Sequence, residues 1–447
     1  MTDEITNIDA KPTKGFFIDM LVRDIPIEQA ILDLVDNSVD GAKKMLADGL
    51  IEGLGGRFIH ISFNEEYFEI VDNCGGFDRK TAVEYAFRFG RPREFRGVPN
   101  SIGQFGIGMK RALFKFGKSF VVSSATTAEE WSISVDVNEW EDTDEWTFPW
   151  SDFVEDKISK ESPGTRIRVN SLRSVASDKF KTKSFENTTL QNIKSKHRQF
   201  VGDGLQIKIN GITVDATKLD LVFTEKLSPF VHMEDFAVPD SGETVSVKII
   251  AGIGRSLPRE AGWYVVCNGR VVLDADRRDV TGWGQFSSDA DRLYIPNFHN
   301  QYARFRGIVY FESNDPSLVP WNTTKDDVDT DSYVWPLAFR HMMDASRAVL
   351  QFLNDLDKDI DDKGKDKSGL HQLVEKGSYT RVESITKSAP FVAPKRDEII
   401  VGPRYIKIQY SKRAEDVAAL QDALNLNNAR AVGERSFDLV FSEFVSK

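Results

Sequence analysis

Cysteine is nearly missing from this chain: Cys74 and Cys267 are the only two in 447 residues. Two thiols cannot make a disulfide framework or a thiolate zinc site. The six histidines are scattered without ligand spacing, which argues against a structural metal. No apolar run approaches the length of a membrane span, and the opening Met-Thr-Asp-Glu-Ile-Thr-Asn lacks the basic and apolar parts of a signal peptide. A cytoplasmic protein with no membrane partner is therefore expected. Positive charge is in deficit, since 58 Lys and Arg face 69 Asp and Glu for a net charge of -11. That balance argues against backbone-driven binding of nucleic acid over the whole surface, although it leaves room for a local basic patch. Lys179, Lys181, Lys183, Lys194, Lys196, His197 and Arg198 lie close in sequence, and solvated side chains on a loop and a helix face are their plainer reading. There is no internal repeat and no sustained heptad seam.

What is present suits two or three domains with sizeable cores, at 40% hydrophobic and 28% charged residues. Between Glu28 and Met45, Ile31, Val35, Val39 and Ala42 recur at helical spacing and predict one buried face. Asp33, Asn37, Asp40 and Lys44 fall opposite. Such a face is either solvated or a source of oxygen ligands for a hard cation such as magnesium. Three further stretches bear on that choice. Asp72-Asn73-Cys74-Gly75-Gly76-Phe77 follows an alternating strand pattern, Gly103-Gln104-Phe105-Gly106-Ile107-Gly108-Met109-Lys110 opens an apolar helix, and Gly164-Thr165 precedes the alternating Ile167 and Val169.

Together these four boxes, in this order and at about this spacing, resemble the ATP-binding site of the GHKL superfamily, which includes gyrase-type topoisomerases, heat-shock chaperones, MutL, sensor kinases and MORC proteins. The resemblance implies an α+β protein: a two-layer sandwich, the Bergerat fold, with an N-terminal strap and a lid over residues 78–102, together spanning residues 1–175. Asn268-Gly269-Arg270 at the end of an apolar strand, and Leu318 to Asp326, resemble a transducer domain, placed at residues 176–356. The strand Leu205 to Gly211, ended by an Asn-Gly turn, is expected to begin it. Residues 357–402, charged and then proline-broken, predict a flexible linker, and residues 403–447 a small helical C-terminal domain.

By the same resemblance, Asn37 holds Mg2+, Asp72 accepts the adenine amino group with help from Thr165, and Gly76 leaves room for the ring. Gly103, Gln104, Phe105, Gly106, Ile107 and Gly108 wrap the phosphates of ATP, where backbone N–H groups at a helix start attract anions, and Lys110 adds positive charge. Lys325 reaches the terminal phosphate from the transducer loop, unless Asp326 or Asp327 holds it in a surface pair. Arg88, Arg91, Arg93 and Arg96 in the lid either meet phosphate or solvate a loop. Phe89-Gly90-Arg91 and Ile102-Gly103-Gln104-Phe105-Gly106 look most like the lid of MORC proteins.

The superfamily's glutamate base is replaced by Asp33, one methylene shorter, so slow or switch-like turnover is expected. The implied function is an ATP-hydrolysing switch whose heads dimerise with ATP, in DNA-linked or genome-defence work. The alternative is a non-hydrolysing adaptor whose nucleotide stabilises a surface for a protein partner, with the C-terminal domain as one place to dock it. A sensor kinase fits less well, because the first histidine, His60, follows the asparagine box. A chaperone fits less well too, for want of the long acidic linker and large middle domain.

Overall fold

The computed structural model describes residues 12–88, 99–103, 106–152, 156–284, 295–396 and 406–445. Helix α1 (Lys14–Arg23) precedes α2 (Ile27–Ala47), whose apolar positions Ile27, Ala30, Ile31, Leu34, Val35, Val39 and Ala42 are buried. A stripe at this spacing covers one side of a helix, and full burial of each large aliphatic side chain stabilises the fold by about 1.5–3 kcal/mol. The stripe packs on a seven-stranded sheet built from β1 (Phe58–Phe63), β2 (Phe68–Asp72), β3 (Gly117–Ala125), β4 (Glu130–Asp136), β5 (Gly164–Leu172), β6 (Gln206–Ile209) and β7 (Ile212–Thr213). Its order is β4-β3-β5-β2-β1-β6-β7. All neighbours are antiparallel except β1 and β6. Helices on one face of a mostly antiparallel sheet make the expected α+β sandwich.

One expectation here needs correcting. The strand from Leu205, expected to open a second domain, instead pairs Ile59 with Ile207 and extends the first sheet. Its Asn210-Gly211 turn does form a hairpin, with φ of 46° and 82° at the two central residues. Among the described residues, Trp146, Phe148 and Trp150 contribute one bridge, between Trp150 and Ile133. Their rings pack on Trp140, Phe120 and Trp131. Lys14 to Leu21, in the stretch expected as an N-terminal strap, lies within α1, where Ile18 is buried in the core and Lys14 donates to the Trp140 and Thr143 carbonyls, both at 2.6 Å.

The next unit holds β8 (Asp220–Phe223), β9 (Phe230–Ala237), β10 (Thr244–Ile253), β11 (Gly262–Cys267), β12 (Arg270–Asp276), β13 (Phe305–Glu312) and β14 (Ser378–Arg381). Five of these form a sheet in the order β12-β11-β13-β10-β9, and β14 pairs with β8 in a separate two-stranded sheet. A 30-residue helix, Val334–Lys363, packs on the larger sheet. Every residue of β11 is buried, as its apolar run requires between two covered faces.

The stretch expected as a flexible linker is, up to residue 396, part of this unit. The long helix runs through Lys363, residues Gly369–Glu375 are helical, and Ala389 and Val392 bridge to Val231 and Ser228. Asp359 is the reason a charged segment stays folded. It is 1% exposed and accepts from Ser368 Oγ at 2.6 Å and the Leu370 N–H at 3.2 Å, with Lys363 Nζ at 2.7 Å. Beyond it, Ala414–Leu424 and Ala429–Phe444 are the two helices of the expected C-terminal tail. Asp359→Ala leaves the half-buried Lys363 and two donors without their acceptor, so it should cost about 3 kcal/mol. Limited proteolysis should then cut between residues 364 and 381 in the variant far faster than in the wild type.

Candidate functional site

Successive polar positions of α2 reach each of the sequence boxes. Asp33 is buried, accepts from Gln29 Nε2 at 3.2 Å, and has Lys325 Nζ 3.7 Å away. A Cβ built on Gly108 would stand 3.1 Å from it, so the glycine loop's helix start rests against this carboxylate. Burial raises the Asp33 pKa, Lys325 opposes the rise, and Asp36 adds to it. Asp36 has no exposure at all. Its partners are His197 Nε2 at 2.8 Å, Lys325 Nζ at 2.9 Å and Arg270 Nη1 at 3.3 Å. Burial alone would raise it; Arg270, Lys325 and the His197 hydrogen bond overcome that and hold the group well below the usual carboxylate range.

Asn37 is exposed, and its side chain has no protein partner among the described residues. An amide oxygen so placed is free to take a hard cation. Ser38 Oγ donates to Asp72 Oδ2 at 2.7 Å, tying α2 to the end of β2. Asp72 Oδ1 also accepts from the N–H groups of Cys74 at 2.9 Å and Thr165 at 3.2 Å. A carboxylate has about four acceptor positions, so three donors leave one for a ligand amino group. Burial raises the Asp72 pKa against these three hydrogen bonds. Thr165 Oγ1 lies 3.1 Å from Ser124 Oγ. Asp40 accepts from the Ile102 and Gly103 N–H groups at 2.7 Å each, which pins the start of the glycine loop to α2.

Two glycines allow this closeness. A Cβ on Gly41 would sit 2.6 Å from the Cys74 carbonyl oxygen, so α2 could not pass the Asp72 turn with any larger residue. At Gly76, φ is +60° and a Cβ would meet the Ala125 carbonyl oxygen at 2.1 Å and the Gly164 carbonyl oxygen at 2.6 Å. The protein's own backbone thus requires glycine there, independent of any ring.

Lys110 is 1% exposed and donates to the carbonyls of Ala86 and Arg88, both at 2.7 Å. In this arrangement it ties the helix Gly108–Phe116 to the backbone of residues 86–88. Gly106, at φ +64°, and Ile107, which caps the helix Gly108–Phe116, are in place at the loop's end. Gln104, Phe105, Arg91, Arg93 and Arg96 lie outside the described residues.

The second unit supplies the remaining partners. Asn268 and Gly269 turn β11 into β12 with φ of 49° and 82°. Asn268 Nδ2 donates to the Ser101 carbonyl at 2.9 Å, and Lys43 Nζ donates to the carbonyls of Asn100 and Asn268 at 2.6 and 2.7 Å. Two residues on, Arg270 reaches Asp36. Lys325 comes from the loop after β13 and has φ of +55°, a left-handed conformation uncommon away from glycine. Asp326 is turned to Asn322 and Thr324, at 2.8 and 2.6 Å, and Asp327 to Arg278, at 2.8 Å, so neither acid competes for the lysine.

The basic cluster is mostly spent on pairs. Lys179 meets Glu28, Lys181 meets Asp178, Lys183 meets Glu186, and Arg198 meets Asp274. Lys196 donates to the Val272 carbonyl and His197 serves Asp36. Sequence reading missed Asp36, His197 and Arg270 as a group, because 161 positions separate Asp36 from His197 and a further 73 separate His197 from Arg270.

His197 gives a test of this arrangement. Burial and Arg270 push its pKa from 6.5 down to about 4. Below 6.5 the unfolded chain takes a proton that the folded chain refuses, so stability falls as pH falls toward 4. Between neutral pH and about pH 5 the loss from this one group is about 2 kcal/mol. Asp33, Asp40 and Asp72, with raised pKa values, act with the opposite sign. They cancel when wild type and His197→Asn are compared. Urea unfolding should therefore show a steeper acid loss in the wild type by about that amount.

No curated protein matches this chain. Residues 25–165 match the family described as histidine kinase-, DNA gyrase B-, and HSP90-like ATPases, which supports a GHKL-type ATP-binding domain over that stretch.

Proposed function

We propose that the chain is a magnesium-dependent ATPase switch in which Lys325, from the second unit, senses the terminal phosphate. The observation that carries this reading is the position of Lys325 Nζ, 2.9 Å from Asp36 and 3.7 Å from Asp33, on the helix that also bears Asn37. In this reading Asn37 holds the cation, and Asp72, with Thr165 beside it, accepts from the adenine amino group. The backbone of Gly103 to Gly108, including Gln104, Phe105, Gly106 and Ile107, encloses the phosphates. Gly76, with no side chain, leaves room for the adenine ring. A bound Mg2+ would neutralise phosphate charge and align the phosphate oxygens.

Asp33 is the proposed general base. A base must be ionised to take a proton from water, and Lys325 favours that form against the effect of burial. Two acids, Asp33 and Asp36, face two permanent cations, Lys325 and Arg270, so the cluster is neutral when both acids are ionised. An added phosphate disturbs that balance and draws Lys325, whose long flexible stem can follow the charge. Lys110, now on the lid carbonyls, is the second cation that a closing lid would free. Closure with ATP, dimerisation of the heads and opening after hydrolysis then form the proposed cycle. DNA-linked or genome-defence work and a protein partner at the C-terminal helices belong to the same proposal.

One observation favours the non-hydrolysing alternative: Asp33 is short, buried and already bonded to Gln29. The two readings separate cleanly. Asn37→Ala should abolish Mg-ATP binding by calorimetry without changing thermal unfolding, since Asn37 is exposed. Asp33→Ala should keep binding and lose about a hundred- to ten thousandfold in phosphate release. Equal phosphate release by Asp33→Ala and wild type would remove Asp33 as base, and no release by either would favour the adaptor.

A further inference from the structure

His232 and Glu234 alternate on β9, the edge strand of the five-stranded sheet, and therefore point to one face. Their partners across the ladder, Ile249 and Val247, are buried in the core that the long helix covers. His341, on that helix, brings its ring to 3.9 Å from the His232 ring, centroid to centroid. The Glu234 Oε2 atom lies 2.9 Å from His232 Nε2 and 3.6 Å from His341 Nε2. All three donor atoms fall within 4.8 Å of one another. These residues lie 109 positions apart in sequence at most, which is why scattered histidines gave no warning of them.

We propose that His232, Glu234 and His341 form a binding site for one zinc-type divalent cation, which joins the edge strand β9 to the helix Val334–Lys363. Two imidazoles and one carboxylate are a donor set suited to zinc, with a fourth position open to water. A tetrahedral ion with bonds of about 2.0–2.2 Å keeps its ligand atoms roughly 3.3–3.5 Å apart. The two distances to Glu234 bracket that value, so small side-chain rotations suffice. The side chains are 27%, 44% and 31% exposed, which gives an ion both a path inward and room for its water. Magnesium and calcium prefer oxygen, so an imidazole pair discriminates against the cation proposed at Asn37.

A simple hydrogen bond accounts for His232 beside Glu234. It does not account for a second imidazole stacked on the first and turned to the same carboxylate oxygen.

The site is independent of the nucleotide, so its test uses the full chain stripped with a chelator and kept free of nucleotide. Zinc is titrated in competition with a chromophoric chelator, and cobalt absorption in the visible range reports coordination. One zinc per chain is expected, with a cobalt band typical of four nitrogen and oxygen ligands. His341→Ala and His232→Asn should each weaken zinc by more than the roughly 10- to 100-fold that loss of an outer-shell partner costs. Zinc should raise the melting temperature of the wild type and leave that of His341→Ala unchanged. Glu234→Gln, at the most exposed of the three positions, repeats the test should a histidine variant unfold. Failure of the wild type to bind zinc stoichiometrically, or equal zinc affinity in wild type and variants, would overturn the proposal.

Discussion

A carboxylate with no exposure to water survives in a protein only if cations and hydrogen bonds replace its hydration, and Asp36 is such a group. Its replacements all come from outside its own helix and sheet. His197 precedes β6, Arg270 begins β12, and Lys325 sits on the loop after β13. Removing one partner of a buried pair typically costs about 3–5 kcal/mol, because the other charge is left stranded. The position of the second unit against α2 therefore depends on this one group. Asn268 and Lys43 reinforce the junction through backbone carbonyls at the start of the glycine loop.

In the proposed reading the same helix faces the nucleotide. Asp33 meets Gly108, Asn37 is open, Ser38 braces Asp72, and Asp40 pins Ile102 and Gly103. A movement at any of these positions is felt within one turn at Asp36. That is the physical basis for coupling: the groups that would read the nucleotide and the groups that hold the second unit share one rigid helix. An α-helix transmits such a shift because its backbone hydrogen bonds resist local deformation.

Much of this was legible in the sequence. The apolar stripe of α2, the strand before Asp72, the helix from Gly108 and both Asn-Gly hairpins follow local periodicity and turn chemistry, and the structure has them. The misplacements arose where distant pairing decides. Nothing local to residues 206–209 shows that they join β1 in parallel, and charge-rich residues from 357 onward suggested a flexible chain until Asp359 found Ser368 and Lys363. The cluster around Asp36 was not legible because its partners are remote in sequence. Gly76 was assigned to a ring that must fit, whereas two carbonyl oxygens already demand it.

The central claim is that Lys325 exchanges Asp36 for the terminal phosphate. A double-mutant cycle with Asp36→Asn and Lys325→Met measures their coupling, first without nucleotide and then with a saturating non-hydrolysable ATP analogue and magnesium. Without nucleotide, unfolding should give a coupling of about 1.5 kcal/mol or more, within the range seen for contacting groups. With the analogue the coupling should fall toward zero, because the lysine has a new partner. An unchanged coupling in the presence of bound analogue would contradict the account.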